Sequence, residues 1–407
     1  MRKMQKIGEK AKKALKKKAT YGEDIELENF IRQAETLSYD ENLSNFAPEE
    51  QKRLQRTGLD FRRSERAGTF FQSDCSVTHC QSTYKGLELL PITEALKNYE
   101  KIKDYWWRAV SVDSDKYTAV SELDLDNGYF IRALPGEKVI YPVQACLYMR
   151  KEKFAQHLHN IIIAEEGSEL HIITGCTISP HLVSGLHIGV SEFYIEKGAK
   201  LTFTMIHNWG EEVYVRPRSG IIIEEDGVFI SNYISLRPVK SLQMYPSAIL
   251  AGRGAIARFN SILVAPPGSE IDIGAKVTLK APEAKAEIIA RAISAGGKII
   301  SRGLLVGEVP GIKAHLECKG LILSEKGIIR AIPELEGQAS GVDMSHEAAV
   351  GKIAQEEIEY LMARGLSEEE ATSTIVRGFL NVQIDGLPAE LQAEIDAAVK
   401  ESEKALI

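Results

Sequence analysis

Three side chains that can bind metal or carry sulfur lie in the last quarter of the sequence. Cys318 lies upstream of the adjacent pair His346 and Glu347. A cysteine thiolate is the soft ligand that iron–sulfur clusters require, and it is also the nucleophile that can carry sulfane sulfur. A cluster held partly by imidazole or carboxylate is expected to be more labile than one held by four cysteines. These residue types could together bind a metal ion or carry sulfur, whereas an isolated cysteine in a β-rich core is more often a small buried apolar side chain.

The composition limits the classes of protein to consider. The chain has 407 residues, 26% of them charged, and a formal charge of −7, which gives no reason to expect nucleic acid as a partner. From Arg2 to Lys18 nine of seventeen residues are basic. We interpret this segment as a solvated helix face, with contact to an acidic partner or anionic surface as the alternative.

No secretion signal or membrane span is expected, because neither an apolar core after the basic start nor an apolar run of about 18 residues occurs. The five scattered cysteines are typical of reduced thiols, so we expect a cytoplasmic protein. Cys75, His79 and Cys80 resemble a metal motif. On a strand, however, Cys80 would point away from the other two, and we expect ordinary packing.

A loose repeat predicts the fold. Between about positions 106 and 330, short alternating apolar runs follow turn glycines at 167, 198, 227, 268, 296 and 327, with one longer interval between 227 and 268. Units that are almost entirely strand favour a β-helix, with a β-propeller as the second choice. We predict a mainly β protein: a right-handed parallel β-helix (β-solenoid) core over 101–333, an N-terminal helical and mixed region over 1–100, and a C-terminal helical region over 334–407.

The C-terminal pattern predicts three short helices. Ser345 is a good N-cap for the first, which would end at Gly365 and hold His346 and Glu347 in its first turn. Ser367 and Glu370 form a capping box for the second helix. The third would begin at Pro388.

Several motifs together resemble the SufB/SufD family, the scaffold subunits of the SUF iron–sulfur cluster assembly machinery. The most specific is Ser-His-Glu-Ala-Ala-Val-Gly-Lys-Ile at 345–353, followed by similar segments at 360–366 and 375–379. Weaker matches are Gly-Cys-Thr at 175–177, His-Asn-Trp at 207–209 and Glu-Cys-Lys at 317–319. The resemblance covers about residues 65–385, and the family fold it implies is a β-helix flanked by helices.

The resemblance implies roles for single residues. Cys318 matches the cysteine of the B-type subunit that accepts sulfur as a persulfide, and Glu347 matches a glutamate near it. His346 matches a histidine that the D-type subunit contributes at the same subunit interface. Cys176 resembles a second B-type cysteine, inside the β-helix, proposed as an entry point for sulfur. The helices from about 350 to 385 match the segment that docks SufC, the ABC-type ATPase of the family.

The sequence departs from the family pattern in two ways. It lacks the N-terminal cysteine cluster of long B-type subunits, and it combines the D-like His346 with the B-like Cys318 and Glu347. We interpret this combination as a subunit that forms a homodimer, because a twofold axis would bring two copies of each ligand together. Whether the second subunit is identical or a relative stays open, as does the binding of a flavin.

The resulting hypothesis is a scaffold that assembles iron–sulfur clusters transiently and passes them to apo iron–sulfur proteins. No phosphate-binding loop occurs, so ATP hydrolysis is expected in the separate ATPase and the chain itself is not expected to be an enzyme. The main alternative is a carbohydrate-binding or polysaccharide-cleaving β-helix that would use Glu224, Glu225 and Asp226 in a groove. A purely structural, polymerising solenoid is a third class.

Overall fold

The computed structural model describes residues 2–43, 46–59 and 66–380. It is mainly β, with 46% strand and 17% helix, and it forms a β-solenoid of about eight turns with helices at its N- and C-terminal ends. The sequence prediction of a β-solenoid with flanking helices is therefore confirmed.

The N-terminal part mixes helices and short strands: α1 (Arg2–Ala14), the 3-10 helix Leu27–Asn29, α2 (Pro48–Gln55), β1 (Gly68–Ser73), β2 (Ser76–Ser82), β3 (Leu87–Pro91), α3 (Ile92–Asn98), α4 (Ile102–Tyr105) and α5 (Lys116–Leu123). The strands of the solenoid follow: β4 (Tyr129–Ala133), β5 (Val143–Met149), β6 (Ala155–Ala164), β7 (Glu169–Ile178), β8 (Ser184–Ile195), β9 (Lys200–Asn208), β10 (Glu212–Val215), β11 (Arg218–Ile223), β12 (Val228–Ser235), β13 (Ser241–Met244), β14 (Ser247–Leu250), β15 (Ile256–Ala265), β16 (Glu270–Leu279), β17 (Lys285–Ser294), β18 (Lys298–Gly307), β19 (Lys313–Ile322), β20 (Ile328–Gly337) and β21 (Asp343–Gly351). Two helices end the described chain: α6 (Gln355–Met362) and α7 (Glu368–Leu380).

Two sheets form the walls of the solenoid, and consecutive long strands alternate between them. The first sheet has the order β2-β1-β5-β7-β9-β12-β15-β17-β19-β21. The second runs from β3, β4, β6 and β8 through the short strands β10, β11, β13 and β14 to β16, β18 and β20. Neighbouring strands along the solenoid are parallel, whereas the starting pairs β1–β2 and β3–β4 are antiparallel.

Successive coils repeat at the period that the glycines predict. The strands β15, β17, β19 and β21 of the first sheet begin at Ile256, Lys285, Lys313 and Asp343, which is close to the regular spacing of the turn glycines. Turn glycines such as Gly198 (φ 64°) and Gly268 (φ 83°) adopt positive φ angles that other residues rarely take. Each coil therefore consists of two strands and two tight turns.

The inward side chains of both sheets fill the lumen. An aromatic stack runs along part of it, with ring centroids of Phe193 and Phe203 4.8 Å apart, Phe193 and Phe229 5.2 Å apart, and Phe229 and Phe259 5.8 Å apart. Because side chains alternate in direction along a strand, every second residue of a coil belongs to this core.

The last coil corrects the prediction for the sequence after Pro333. Residues 345–351 belong to β21 and not to a helix, so Ser345 is not an N-cap and Glu347 is not near a helix dipole. β21 pairs with β19 along its whole length, from Lys313–Asp343 to Leu321–Gly351. These ladder hydrogen bonds override the helix preference of the alanines and of Glu347, because local propensity is worth less than about 1 kcal/mol per residue.

The predicted helices are confirmed further along the chain. α6 ends just before Gly365, whose φ is 97°. Ser367 and Glu370 form the predicted capping box at the start of α7: the Glu370 carboxylate accepts from the Ser367 backbone N–H at 2.8 Å, and Ser367 Oγ accepts from the Glu370 N–H at 3.2 Å. The helix predicted from Pro388 lies outside the described residues. Within the described ranges, no helix is long and apolar enough to cross a membrane.

Candidate functional site

Cys318 lies on β19 with its side chain in the lumen. It pairs in register with Ala290 on β17 and Ala348 on β21, and only 2% of it is exposed. The nearest polar group is Ser301 Oγ, 3.4 Å from the sulfur. Burial raises the pKa of the Cys318 thiol above its ordinary value. The thiol is therefore protonated near neutral pH, and its environment must change before it acts as a thiolate.

His346 shares the inward side of the wall with Cys318. It pairs with Leu316, a lumen residue two positions before Cys318. One step of about 4.8 Å across the sheet and two residues of about 3.3 Å along it place the two Cα atoms roughly 8 Å apart. His346 is nevertheless exposed. β20 and β21 form the last coil of the described chain, and within that chain no further coil closes this end of the lumen.

Glu347 points to the opposite, outer face of the same wall. It pairs in register with Glu317, and its Oε1 lies 3.3 Å from Lys319 Nζ, which also contacts Glu317 Oε2 at 3.0 Å. Arg291 from the preceding coil completes the row of charges by pairing with Glu317. Glu347 is thus part of an external ion-pair ladder and is separated from Cys318 by the backbone of the sheet.

The three predicted ligands therefore do not converge within one chain. Cys318 and His346 are on the lumen face of the last two coils, whereas Glu347 is on the outer face. Over residues 2–43, 46–59 and 66–380, the structure brings no three histidine, cysteine or carboxylate side chains together in a metal-binding arrangement. Binding of a cluster at this end requires ligands from elsewhere.

Cys176 faces the same lumen on β7, five strands away from β19 in the first sheet. It lies on β7, is fully buried, and pairs with His207 on β9. Burial raises the pKa of its thiol. Five strand-to-strand steps of about 4.8 Å separate β7 from β19, so the two cysteines are roughly 24 Å apart and cannot exchange sulfur directly.

A polar chamber lies beside Cys176 and was not predicted from the sequence, where the segment 207–209 entered only as a weak family match. Tyr233 Oη lies 2.7 Å from His207 Nδ1, and the rings of His187 and His207 lie 4.9 and 5.3 Å from that of Trp209. The buried His207 Nε2 and Trp209 Nε1 have no hydrogen-bond partner. The inward positions of these residues on their strands were the signal that could have revealed the chamber.

A cavity of about 40 Å³ lies in the lumen between the two cysteines. Its lining includes Tyr233 from the polar chamber, and Ala290 and Ser301 beside Cys318. The space is large enough for one or a few small molecules of the size of water. The lumen is therefore not filled continuously between Cys176 and Cys318.

The other candidate groups are separated by the fold. Cys80 Sγ lies 3.5 Å from the Leu89 carbonyl oxygen, whereas His79 Nδ1 contacts the Asp40 carbonyl oxygen at 2.9 Å, so they do not share a site with Cys75. The carboxylates at 224–226 occupy the turn after β11, where Glu225 pairs with Lys197 at 3.0 Å. A turn with paired carboxylates gives no support to the carbohydrate hypothesis.

The C-terminal helices differ in how they contact the solenoid. Val376 and Leu380 of α7 pack in an apolar cluster on the outer face of the first sheet, with Ile206 and Ile262 among its members. α6 instead presents side chains to solvent, including Tyr360 at 57% exposure. The strands under α7 are those whose inner faces carry the lumen between the two cysteines.

Thiol burial gives a testable order of reactivity. In the folded protein we expect a maleimide to label Cys75 first, because it is partly exposed at a hairpin turn, and Cys318 much more slowly, because its thiol is buried and its pKa is raised. Cys146 and Cys176 should remain unlabelled. Time-resolved labelling with peptide mass spectrometry measures the order, and the denatured protein is the control. Equal rates for Cys75 and Cys318 would contradict the buried position of Cys318.

Buried histidines predict a loss of stability in mild acid. Burial lowers the pKa of His157 and of His171 to about 4, from about 6.5 in an unfolded chain. The unfolded chain then binds protons that the folded state does not, so this contribution is complete above about pH 6.5 and is lost as the pH falls towards about 4. Urea denaturation across that range should show a falling midpoint. The decrease should be smaller in His157→Gln than in the matched surface variant His181→Gln, and equal decreases would contradict the prediction.

Comparison with known proteins gives one consistent result. Residues 147–379 match the family described as SUF system FeS cluster assembly, SufBD core domain. The chain is 51% identical over 393 residues to an iron-sulfur cluster assembly SufBD family protein of Methanothermobacter thermautotrophicus, covering 95% of both chains. A protein of the same description from Archaeoglobus fulgidus is 50% identical over 358 residues, 88% of this chain and 96% of the relative. The iron-sulfur cluster assembly protein SufB of Bacillus subtilis is 32% identical over 321 residues, 78% and 69% of the two chains.

Proposed function

The chain belongs to the SufBD family of iron–sulfur cluster assembly proteins, and from this we propose that it is the scaffold on which clusters are built. The observation that carries the proposal is the position of Cys318 and His346 on the lumen face of the last two coils, at the end of the solenoid. One chain supplies too few ligands there for a stable cluster. A cluster built at this end would be substrate in transit, held by few ligands and released to apo iron–sulfur proteins.

A second subunit is proposed to complete the site. Among the described residues, β20 and β21 each pair with a strand on one side only, so their outer edges offer backbone groups that could extend a sheet into another chain. Exposed apolar side chains lie on the same coil, among them Ile328 (55%), Leu335 (36%) and Val350 (42%). In a twofold dimer through this coil, each chain would contribute one Cys318, one His346 and one Glu347.

Sulfur is proposed to enter at Cys176 and to reach Cys318 through the lumen. The support is that both thiols face the lumen and that polar groups and free space lie between them. Because the separation is roughly 24 Å, the Cys318 thiolate cannot attack a persulfide on Cys176 directly. A hydrosulfide ion would have to take the outer sulfur as hydrogen disulfide, leaving the Cys176 thiolate, and would be released again when the Cys318 thiolate takes that sulfur.

An ABC-type ATPase is proposed to dock on the segment 350–385, whose residues after 380 lie outside the described part. α6 offers the exposed Tyr360 and Met362, while α7 is anchored over the strands of the first sheet. Movement of α7 by the ATPase would act on the wall that holds Cys318 and change its access to iron and sulfur. ATP hydrolysis belongs to the partner, and the complex is proposed to work in the cytoplasm.

Anaerobic reconstitution tests the scaffold function. The chain is incubated with the ATPase, ferrous iron and sulfide, and bound iron, acid-labile sulfide and the visible absorption of the complex are measured. We expect a cluster per dimer that is transferred to an apo-ferredoxin. The double variant Leu335→Lys, Val350→Lys should be monomeric and hold no cluster, whereas Lys326→Glu should behave as wild type. Iron and sulfide uptake no greater than that of the ATPase alone would refute the function.

A further inference from the structure

The N-terminal helix α1 and the turn after it carry a group of exposed lysines that form no salt bridge within the described residues. Lys6, Lys10, Lys12, Lys13 and Lys16 are exposed, and we call them the lysine face. None forms a salt bridge with another residue of the described part. Lys6, Lys10 and Lys13 lie on one side of α1 because they are three and four residues apart. Lys12 and Lys16 lie beside them, Lys16 in the turn after the helix, so the cations extend over about 15 Å.

Several lysines on the solenoid form ion pairs with carboxylates of a neighbouring coil. Lys138 pairs with Glu169 of the next coil at 2.7 Å, and Lys280 pairs with Glu308 at 3.4 Å. Exposed pairs of this kind add little stability, but they neutralise the surface charge. Other exposed lysines, such as Lys285 and Lys313 at the starts of β17 and β19, also form no salt bridge within the described residues, so α1 is distinguished by how closely its unpaired cations follow one another.

The apolar side of α1 is already occupied. Ile7, Ala11 and Ala14 are buried in a cluster with Trp106 and Tyr194. The helix therefore has no free apolar stripe to insert into a lipid bilayer, in contrast to interfacial membrane helices. Any partner of this face must be bound by charge.

An acidic turn lies beside the lysine face and limits the size of that partner: a hydrogen bond from Ser111 and the nearby charges of Lys10 and Lys17 lower the pKa of Asp113, which lies in the turn before α5. Lys3 Nζ donates to the Lys103 carbonyl oxygen, so α1 lies beside α4.

The distribution of charge over the whole chain also limits the size of an anionic partner. Residues 2–18 carry nine basic groups and one acid, a formal +8; because the whole chain has −7, the remainder carries −15. An extended polyanion, such as a DNA duplex or a membrane, would meet this acidic remainder.

We propose that the lysine face is a docking surface for a compact acidic protein, one that presents a row of Asp or Glu side chains about 15 Å long. Charge complementarity selects this partner, because a small acidic surface can contact α1 without approaching the acidic turn. Lysine ammonium groups bind as separate point charges, so recognition depends on the spacing of the carboxylates and on ionic strength. The inference is independent of the cluster site and goes beyond the scaffold function.

Binding of a defined probe tests the docking surface. The full chain is titrated at low ionic strength with a helical peptide that carries glutamates at three- and four-residue spacing along one side, and fluorescence anisotropy is measured. We expect saturable binding that weakens with salt. The variant K6E/K10E/K13E should bind at least about tenfold more weakly, since three weak attractions become repulsions.

A matched control separates the lysine face from net charge. The variant K138E/K280E/K298E undergoes the same change in charge on the solenoid and should keep the affinity of wild type within about a factor of two. Circular dichroism checks that both variants are folded. The proposal is overturned if the peptide does not bind, if the control variant loses as much affinity, or if a DNA duplex or phosphatidylglycerol vesicles bind more tightly than the peptide.

Discussion

Replacing Cys318 with alanine is expected to abolish cluster formation while leaving the solenoid folded. Cys318 carries the only thiol on the last two coils of the described chain, and the one hydrogen-bond contact of its sulfur there is with Ser301. Without this thiol, each subunit would offer iron only the imidazole of His346 and the carboxylate of Glu347. Iron would have no thiolate ligand, and sulfur would have no acceptor. After anaerobic reconstitution of the ATPase complex, bound iron and sulfide should fall at least about tenfold.

The control for this experiment is Cys75→Ala, which removes a partly exposed thiol far along the first sheet from Cys318. It should keep the cluster content of wild type. Alanine at position 318 removes only a small buried side chain, so the melting temperature should decrease by no more than a few degrees. Equal cluster content in wild type and Cys318→Ala would refute the assigned role, and loss in both variants would show that the effect is not specific.

Replacing Glu192 with alanine is expected to destabilise the protein by about 3–5 kcal/mol, because the change leaves a fully buried network unpaired. The Glu192 carboxylate accepts from the backbone N–H groups of Trp107 at 2.7 Å and Ala109 at 2.6 Å. It also lies 2.9 Å from His159 Nε2, and both side chains are fully buried. These bonds attach the segment after α4 to the second sheet, so the loss should detach the N-terminal helices first.

Chemical denaturation and hydrogen exchange measure this effect. Exchange protection should fall in α1, α4 and α5 before it falls in the coils from β15 to β19, since the latter do not contact Glu192. The matched variant Glu166→Ala removes an exposed carboxylate from a turn and should change the stability by less than about 0.5 kcal/mol. A similar stability for both variants would contradict the structural role of Glu192.

His157 and His159 show which contacts a strand pattern can predict and which it cannot. A spacing of two residues places both side chains on one face of a strand, where two histidines could share a metal ion. In the structure His157 Nδ1 contacts the Asp124 carbonyl oxygen at 3.0 Å, whereas His159 contacts Glu192 and stacks on Trp106 at 3.9 Å between ring centroids. Their partners come from the N-terminal region, which the strand pattern does not contain.

The sequence by itself determined the repeating part of the protein. A regular period with alternating polarity is local information, because each coil repeats the same turn and strand requirements. The capping box at Ser367 and Glu370 is also local, since both partners lie within one helical turn. The residues Cys318, His346 and Glu347 were found from their types and from a motif, without knowledge of their directions.

Only the tertiary structure determines to which face of the sheet each of these three side chains points. The segment after Asp343 has the composition of a helix, yet it pairs with β19 because that strand offers an unpaired edge one coil earlier in the chain. Strand geometry then sends His346 into the lumen and Glu347 outward to Lys319. Such contacts depend on long-range pairing, and local residue preferences are too weak to specify them.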